Sequence, residues 1–178
     1  LEIPVLEIDE KKSKIIFNNK GKKLLQDFLQ VKRLEGYGLT DLPDFKSEFS
    51  SGMDLCANFL ATDKKKEVLI PSNGRIMIST GLAIEIPKNC EGQIRSRSGL
   101  SIDHGIIVLN SPGTIDQDFR GHLKIILANF GKDDYLIRQG DRIAQLVIIN
   151  VVRPQIRLVE KLNASKRGNK GFGSTGIT

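Results

Sequence analysis

The chain has 178 residues, of which 39% are hydrophobic and 27% charged, with a formal net charge of +6. That length and mixture suit one ordinary folded domain with a short appendage, and they exclude a disordered polyelectrolyte. No apolar run approaches the roughly 20 residues of a membrane span, and residues 1–10 carry four acids without a basic start, unlike a signal peptide.

In chain order, a short strand is predicted over residues 14–17. Leu24, Leu25, Phe28 and Leu29 then recur at helical spacing, which predicts an amphipathic helix over 21–30. Lys11, Lys12, Lys14, Lys20, Lys22 and Lys23 fall in a stretch without an acid. They read as solvated charge, and no nucleic acid partner is required to explain them. From Val31 onward, short β-rich runs alternate with turn signals. Strands are predicted over 67–70, 75–79, 82–86, 93–96, 106–109, 122–129, 135–138 and 142–152. Between them lie Pro71-Ser72-Asn73-Gly74, Pro87-Lys88-Asn89, Ser111-Pro112-Gly113 and Phe130-Gly131-Lys132-Asp133. Many short strands at this spacing predict an all-β sandwich or barrel. The nearly continuous apolar run of 142–152 fits a strand buried on both faces or at a subunit interface. After Glu160 the chain turns polar and glycine-rich, as a mobile tail does. The expected division is an N-terminal extension (1–30), a β domain (31–160) and a C-terminal arm (161–178).

Cys56 and Cys90 are too few for a disulfide framework and point to a reducing compartment, with the cytoplasm as the expected location. With His104 and His122 they share no ligand spacing, so a structural zinc site is not expected.

Five segments carry chemistry. In the tail, Phe172 sits between Gly171 and Gly173 and is followed by Ser174-Thr175-Gly176. Glycine N–H groups, hydroxyls and Arg167 suit a polyphosphate, and one Phe can stack on a base. Arg95-Ser96-Arg97-Ser98-Gly99-Leu100 is a second compact anion-binding element, or a basic turn after a strand. Residues 113–121 read as a β-hairpin with two acids and an aromatic. An acid there, beside a phosphate site, can orient a water for attack. Ser51-Gly52-Met53-Asp54-Leu55 puts an acid at a strand start. Gly140-Asp141-Arg142-Ile143-Ala144-Gln145-Leu146 puts an amide on a buried strand, where it needs a partner.

In this order, the five segments resemble the five motifs of the trimeric dUTPase family, and the resemblance runs from about Val31 to Thr178. Residues 1–30 lie outside it. The resemblance implies a β-sandwich or jelly-roll-like barrel that assembles as a homotrimer with sites at subunit interfaces. It implies Mg²⁺-dependent hydrolysis of dUTP to dUMP and pyrophosphate, which keeps uracil out of DNA and supplies dUMP for dTTP synthesis. By the same resemblance, Asp116 is the catalytic acid that deprotonates the attacking water, and Gln145 helps to hold that water. Arg97, Ser98 and Gly99 bind phosphate. Asn110, Thr114, Ile115, Asp116 and the main chain near Lys124 recognise uracil. Arg167, Phe172, Gly173, Ser174 and Thr175 belong to the closing arm. Asp54 meets Mg²⁺ through water. Phe119 stands under the deoxyribose where most of the family has Tyr, which keeps the steric exclusion of a 2′-hydroxyl but loses a phenol.

Two other classes compete with this reading. A dCTP deaminase shares the fold but needs a Glu on the strand after the hairpin, and His122-Leu123-Lys124-Ile125-Ile126-Leu127-Ala128 has no acid. A non-catalytic binding module descended from this fold is expected to have lost Asp116 or the tail, and both are present.

Overall fold

The computed structural model describes residues 28–169. The strand predicted over 14–17 lies outside them, as does most of the helix predicted over 21–30. Where that helix is described it is not helical, because Gln30 opens a strand.

Among the described residues, ten strands and one short helix follow in order: β1 (Gln30–Arg33), β2 (Met53–Cys56), β3 (Glu67–Ile70), β4 (Arg75–Glu85), β5 (Cys90–Arg95), α1 (Ser98–His104), β6 (Ile106–Val108), β7 (Gly113–Ile115), β8 (His122–Asn129), β9 (Tyr135–Arg138) and β10 (Arg142–Asn150). One four-stranded sheet has the order β1-β4-β8-β6, and a second has β2-β10-β5-β7. Strands β3 and β9 form a two-stranded ribbon. Every ladder is antiparallel. The all-β sandwich expectation holds.

The alternation that predicted the strands also explains the core. In β8, Leu123, Ile125 and Leu127 are buried while Lys124 is exposed between them. These three join Leu55, Ile78, Ile84, Ile94, Ile106, Ile143 and Leu146 in one cluster drawn from both four-stranded sheets. Such a shared interior is what makes two sheets one sandwich. Strand β10 lies between β2 and β5, and Leu146 and Val147, which point to opposite faces, are both buried. That accounts for its continuous apolar run.

Three readings of the sequence need correction. Residues 75–79 and 82–86 form a single strand, β4, which passes the expected break through a bulge between Ser79 and Leu82. A bulge absorbs the extra residue without ending the strand. Residues 98–100, for which a basic turn was one reading, open helix α1 (98–104), which is closed by Gly105 in the left-handed conformation. Residues 113–121 are not a paired hairpin: β7 pairs with β5, whereas β8 pairs with β4 and β6. The segment is a corner that carries the chain from one sheet to the other.

Among the described residues, regular structure ends at Asn150. Val151 still donates its N–H to Asn89 at 2.7 Å. Beyond it, Val152, Ile156, Leu158 and Leu162 stand exposed, Ile156 at 99% and Leu158 at 98%. Among the described residues no helix is long and apolar enough to cross a membrane.

Candidate active site

The sheet register builds a row of polar groups. Asp54 on β2 pairs with Gln145 on β10, and Gln145 pairs in turn with Arg95 on β5. Directly opposed residues present their side chains on the same face. Gln145 accordingly donates its amide N–H to Asp54 Oδ1 at 3.3 Å. Asp54 is only 7% exposed, so its charge needs partners. Arg142 Nη1 donates to Oδ2 at 3.0 Å, and Arg97 Nε lies 3.5 Å from Oδ1. Arg97 also donates from Nη1 to the Arg142 carbonyl at 2.7 Å.

One carboxylate therefore fixes two guanidiniums and the Gln145 amide, all supplied by distant parts of the chain. Removing one partner of a fully buried ion pair typically costs about 3–5 kcal/mol, and the partial exposure of both arginines places the cost here below that range. Here the loss of Asp54 would also leave two cations side by side. Next to this cluster, Ser98 and Gly99 form the first turn of α1 and are exposed. Backbone N–H groups in a first turn have no helical acceptor. The cluster thus offers two cations, an amide and free N–H donors, a set that suits a phosphate chain. Arg142 had no role in the sequence reading. An arginine at the start of an apolar strand, three residues before Gln145, was the available signal.

A second group gathers around the corner. Phe119 N–H donates to the Asp116 carbonyl at 3.1 Å, closing the turn. Arg120 braces it, donating to the Gln117 and Phe119 carbonyls at 2.7 and 2.9 Å and pairing with Glu85 at 3.2 Å. Asp116 is exposed, and among the described residues no hydrogen bond or ion pair reaches its carboxylate. Phe119, 39% exposed, lies over Gly121, where an added Cβ would stand 2.7 Å from its Cζ. Asn110 lies over Gly113 just as closely, at 2.9 Å from a Cβ built there.

Lys124 completes this group with its main chain. The Ile126 carbonyl accepts from Leu109 N–H at 2.9 Å, so it points to the β6 side of β8. Lys124, two residues away, points its N–H and C=O the same way. Strand β6 has ended by then, because its ladder with β8 covers only residues 127–129. An unpaired strand edge is a ready template for hydrogen bonds, and here the chain that continues β6 past Leu109 brings Asn110 alongside it. Burial and the Lys124 charge hold His122 below its usual pKa, so at pH 7 it adds no cation beside this edge.

The two groups do not meet within one chain. Ile115 is level with Gly92, and Gly92 with Ile148. Asp116 is thus four residues along from Gln145 and two strands across. That separates their backbones by about 14 Å along the strands and about 10 Å across them. Two head groups that share one water must lie within about 6 Å of each other. Of the remaining predicted residues, Arg167 is exposed in the irregular stretch, and Phe172, Gly173, Ser174 and Thr175 lie outside the described residues.

Comparison with known proteins bears on this arrangement. The dUTPase family model matches residues 40–176. The chain belongs to the dUTPase family. Its dUTPase relatives include the deoxyuridine 5′-triphosphate nucleotidohydrolase of Caldanaerobacter subterraneus subsp. tengcongensis, 48% identical over 149 residues, which cover 84% of this chain and 97% of that protein. The enzyme of the same name from Anaplasma marginale is 48% identical over 151 residues, covering 83% and 99%. Among solved structures, the dUTPase of Staphylococcus bacteriophage 80alpha with dUPNHPP superimposes with a TM-score of 0.72 at 27% identity, covering 84% of this chain and 99% of that one. The dUTPase match begins after β1.

Proposed function

We propose that this chain hydrolyses dUTP to dUMP and pyrophosphate, and that its two groups of residues are halves of a site completed between subunits of a homotrimer. The observation that carries the reading is the buried Asp54, which holds Arg97, Arg142 and Gln145 as one phosphate-ready cluster. Family membership supports the chemistry, and the bacterial relatives carry the name of that activity. Removing dUTP keeps uracil out of DNA and provides dUMP for dTTP synthesis.

The roles follow from chemistry. The open edge at Lys124, with Asn110 and the main chain of Thr114 and Ile115, reads the uracil edge. Cytosine presents the opposite donor pattern and would leave buried groups unpaired. Arg97, Ser98 and the Gly99 N–H hold phosphate oxygens where charge develops. Asp116 takes a proton from the water that attacks the α-phosphorus, and Gln145 orients that water. The separation of Asp116 from Gln145 in one chain supports a site made by two. The exposed apolar side chains of Ile156 and Leu158 support an arm, with residues 161–178 as its closing part, that leaves its own subunit. Arg167, Phe172, Gly173, Ser174 and Thr175 then cover the substrate. Residues 1–30 remain an extension outside this role. The free Cys56 and Cys90 suit a reducing compartment, and the proposal places the protein in the cytoplasm.

Mg²⁺ belongs to the proposal. Among the described residues no group of three or more His, Cys, Asp or Glu is arranged to hold a metal. Both Asp54 oxygens already accept hydrogen bonds or ion pairs, which disfavours direct ligation. A carboxylate oxygen has a second lone pair, so Asp54 fits as an acceptor for one of the ion's waters. An ion held mainly by substrate phosphates and water is ordinary for Mg²⁺. When bound, it neutralises phosphoryl charge.

The test is a substrate panel. With Mg²⁺, pyrophosphate release from dUTP is expected, with little from dCTP, dTTP or UTP and no deamination of dCTP. Comparable turnover of dCTP or UTP would sink the assignment. Phe119 gives a finer expectation. Phe119→Tyr adds one hydroxyl to a half-exposed ring and removes no packing. It should change kcat/KM less than tenfold, by the roughly 1 kcal/mol worth of a neutral hydrogen bond. Discrimination against UTP should persist. Its collapse would show that the ring is not what excludes the 2′-hydroxyl.

A further inference from the structure

The row that contains Asp54 and Gln145 has a third member, which opens the anion-binding segment of the sequence but has no place in the phosphate cluster described above. Arg95 is the cross-strand neighbour of Gln145, and its side chain lies on the same face. It is exposed, and among the described residues no carboxylate lies within ion-pair distance of it. Yet it is held in place. Its Nε and Nη2 both donate to Gln93 Oε1, at 3.1 and 2.6 Å. The Gln93 amide donates in turn to Glu91 Oε1 at 2.7 Å. A ladder along β5 therefore orients one edge of the guanidinium and leaves Nη1 unengaged. Such bracing is a means of preorganising an arginine for a ligand.

The charge balance of the phosphate cluster gives this group a purpose. Arg97 and Arg142 bring two positive charges, and Asp54 cancels one of them. A nucleoside triphosphate carries roughly four negative charges, about half of them neutralised by one dication. One net cation beside Gln145 offsets only part of that charge until Arg167 of the closing arm reaches the substrate. Arg95 is a cation one strand away from Gln145, already oriented and, among the described residues, unpaired by any acid.

We propose that Arg95 is a further substrate-binding residue, whose guanidinium takes a phosphate oxygen of the nucleoside triphosphate next to Gln145. The inference rests on the phosphate cluster proposed above and adds to it a residue outside that set. Its Nη1 donates a charge-assisted hydrogen bond, while Gln93 and Glu91 act as positioning residues.

The test compares two ligands on the full-length protein: deoxyuridine, which has no phosphate, and the non-hydrolysable imido analogue of dUTP. Arg95→Gln should weaken the imido analogue about tenfold or more, the usual worth of a hydrogen bond to a charged group. Deoxyuridine affinity should stay within about twofold of wild type. Arg95→Lys, which keeps the charge, should recover part of the loss. Turnover should show the same change mainly in KM. An imido-analogue affinity within twofold of wild type for Arg95→Gln overturns the proposal. So does an equal loss of both ligands, or a loss in Arg95→Lys as large as in Arg95→Gln, because each assigns Arg95 to packing. Arg97→Gln, measured alongside, separates the two levels of inference. If it weakens the analogue and Arg95→Gln does not, only Arg95 was misassigned. If neither does, the phosphate cluster itself is misplaced and both readings fall.

Discussion

Asp116→Asn is expected to lower kcat by about 10²–10⁴-fold, the usual contribution of a positioned general base, with fold and substrate affinity preserved. The structure separates the two effects. The Asp116 side chain is exposed and makes no hydrogen bond among the described residues, while its carbonyl, which the substitution leaves in place, closes the turn by accepting from Phe119. An isosteric change at such a surface site usually shifts stability by no more than about 0.5 kcal/mol. Loss of activity with an unchanged melting temperature therefore reports chemistry. Steady-state kinetics beside a thermal melt decide it, and a kcat within a few fold of wild type removes Asp116 from the role of base.

The second large effect concerns how sites are shared. A chain ending at Lys166 is expected to fold and assemble with severe loss of activity, because Arg167, Phe172, Ser174 and Thr175 leave together. Among the described residues regular structure ends at Asn150, so the deletion leaves all ten described strands in place. This truncated chain and full-length Asp116→Asn are each expected to be inactive alone. Co-expressed, they should restore one another if the arm of one subunit closes over the corner of the next. With equal random mixing, about three quarters of trimers are mixed, and cyclic symmetry gives each of them one site with an intact corner and an intact arm. Activity near a quarter of wild type is the expected result. Mixed trimers verified by mass that show no activity would mean that each arm serves its own subunit.

Strands β3, β8 and β9 were legible to the residue: burial alternates along β3 and most of β8, writing a two-residue period into the sequence, and β9 is a short apolar run between turn signals. What escaped was shorter or less local. Helix α1 spans seven residues, too few for a helical period to show; its one signal was Gly105 at the C-terminal cap. Strand β1 has Val31 as its sole apolar residue and lies at a sheet edge, so it carries no alternation. In residues 113–121 the turn was read correctly but the partner was not. Which strand accepts β7 is decided by the packing of two sheets, and nothing in nine residues encodes it. The site divides in the same way. Asp54, Arg97 and Gln145 were recognised by motif order. That Asp54 binds both arginines became visible only when β2, β10 and the start of α1 were brought together. Arg142 went unnoticed because its partner lies 88 residues away.

The bare apolar side chains beyond Val151 have a thermodynamic consequence. Ile156 and Leu158 are almost fully solvated in a single chain, so none of the stabilisation their burial provides is available to an isolated molecule. If neighbouring chains cover them, that stabilisation belongs to association, and mass action governs it. Dilution then acts as a denaturant. Melting temperatures of this protein have meaning only with the protein concentration attached, and a dilute assay measures a different population from a concentrated stock.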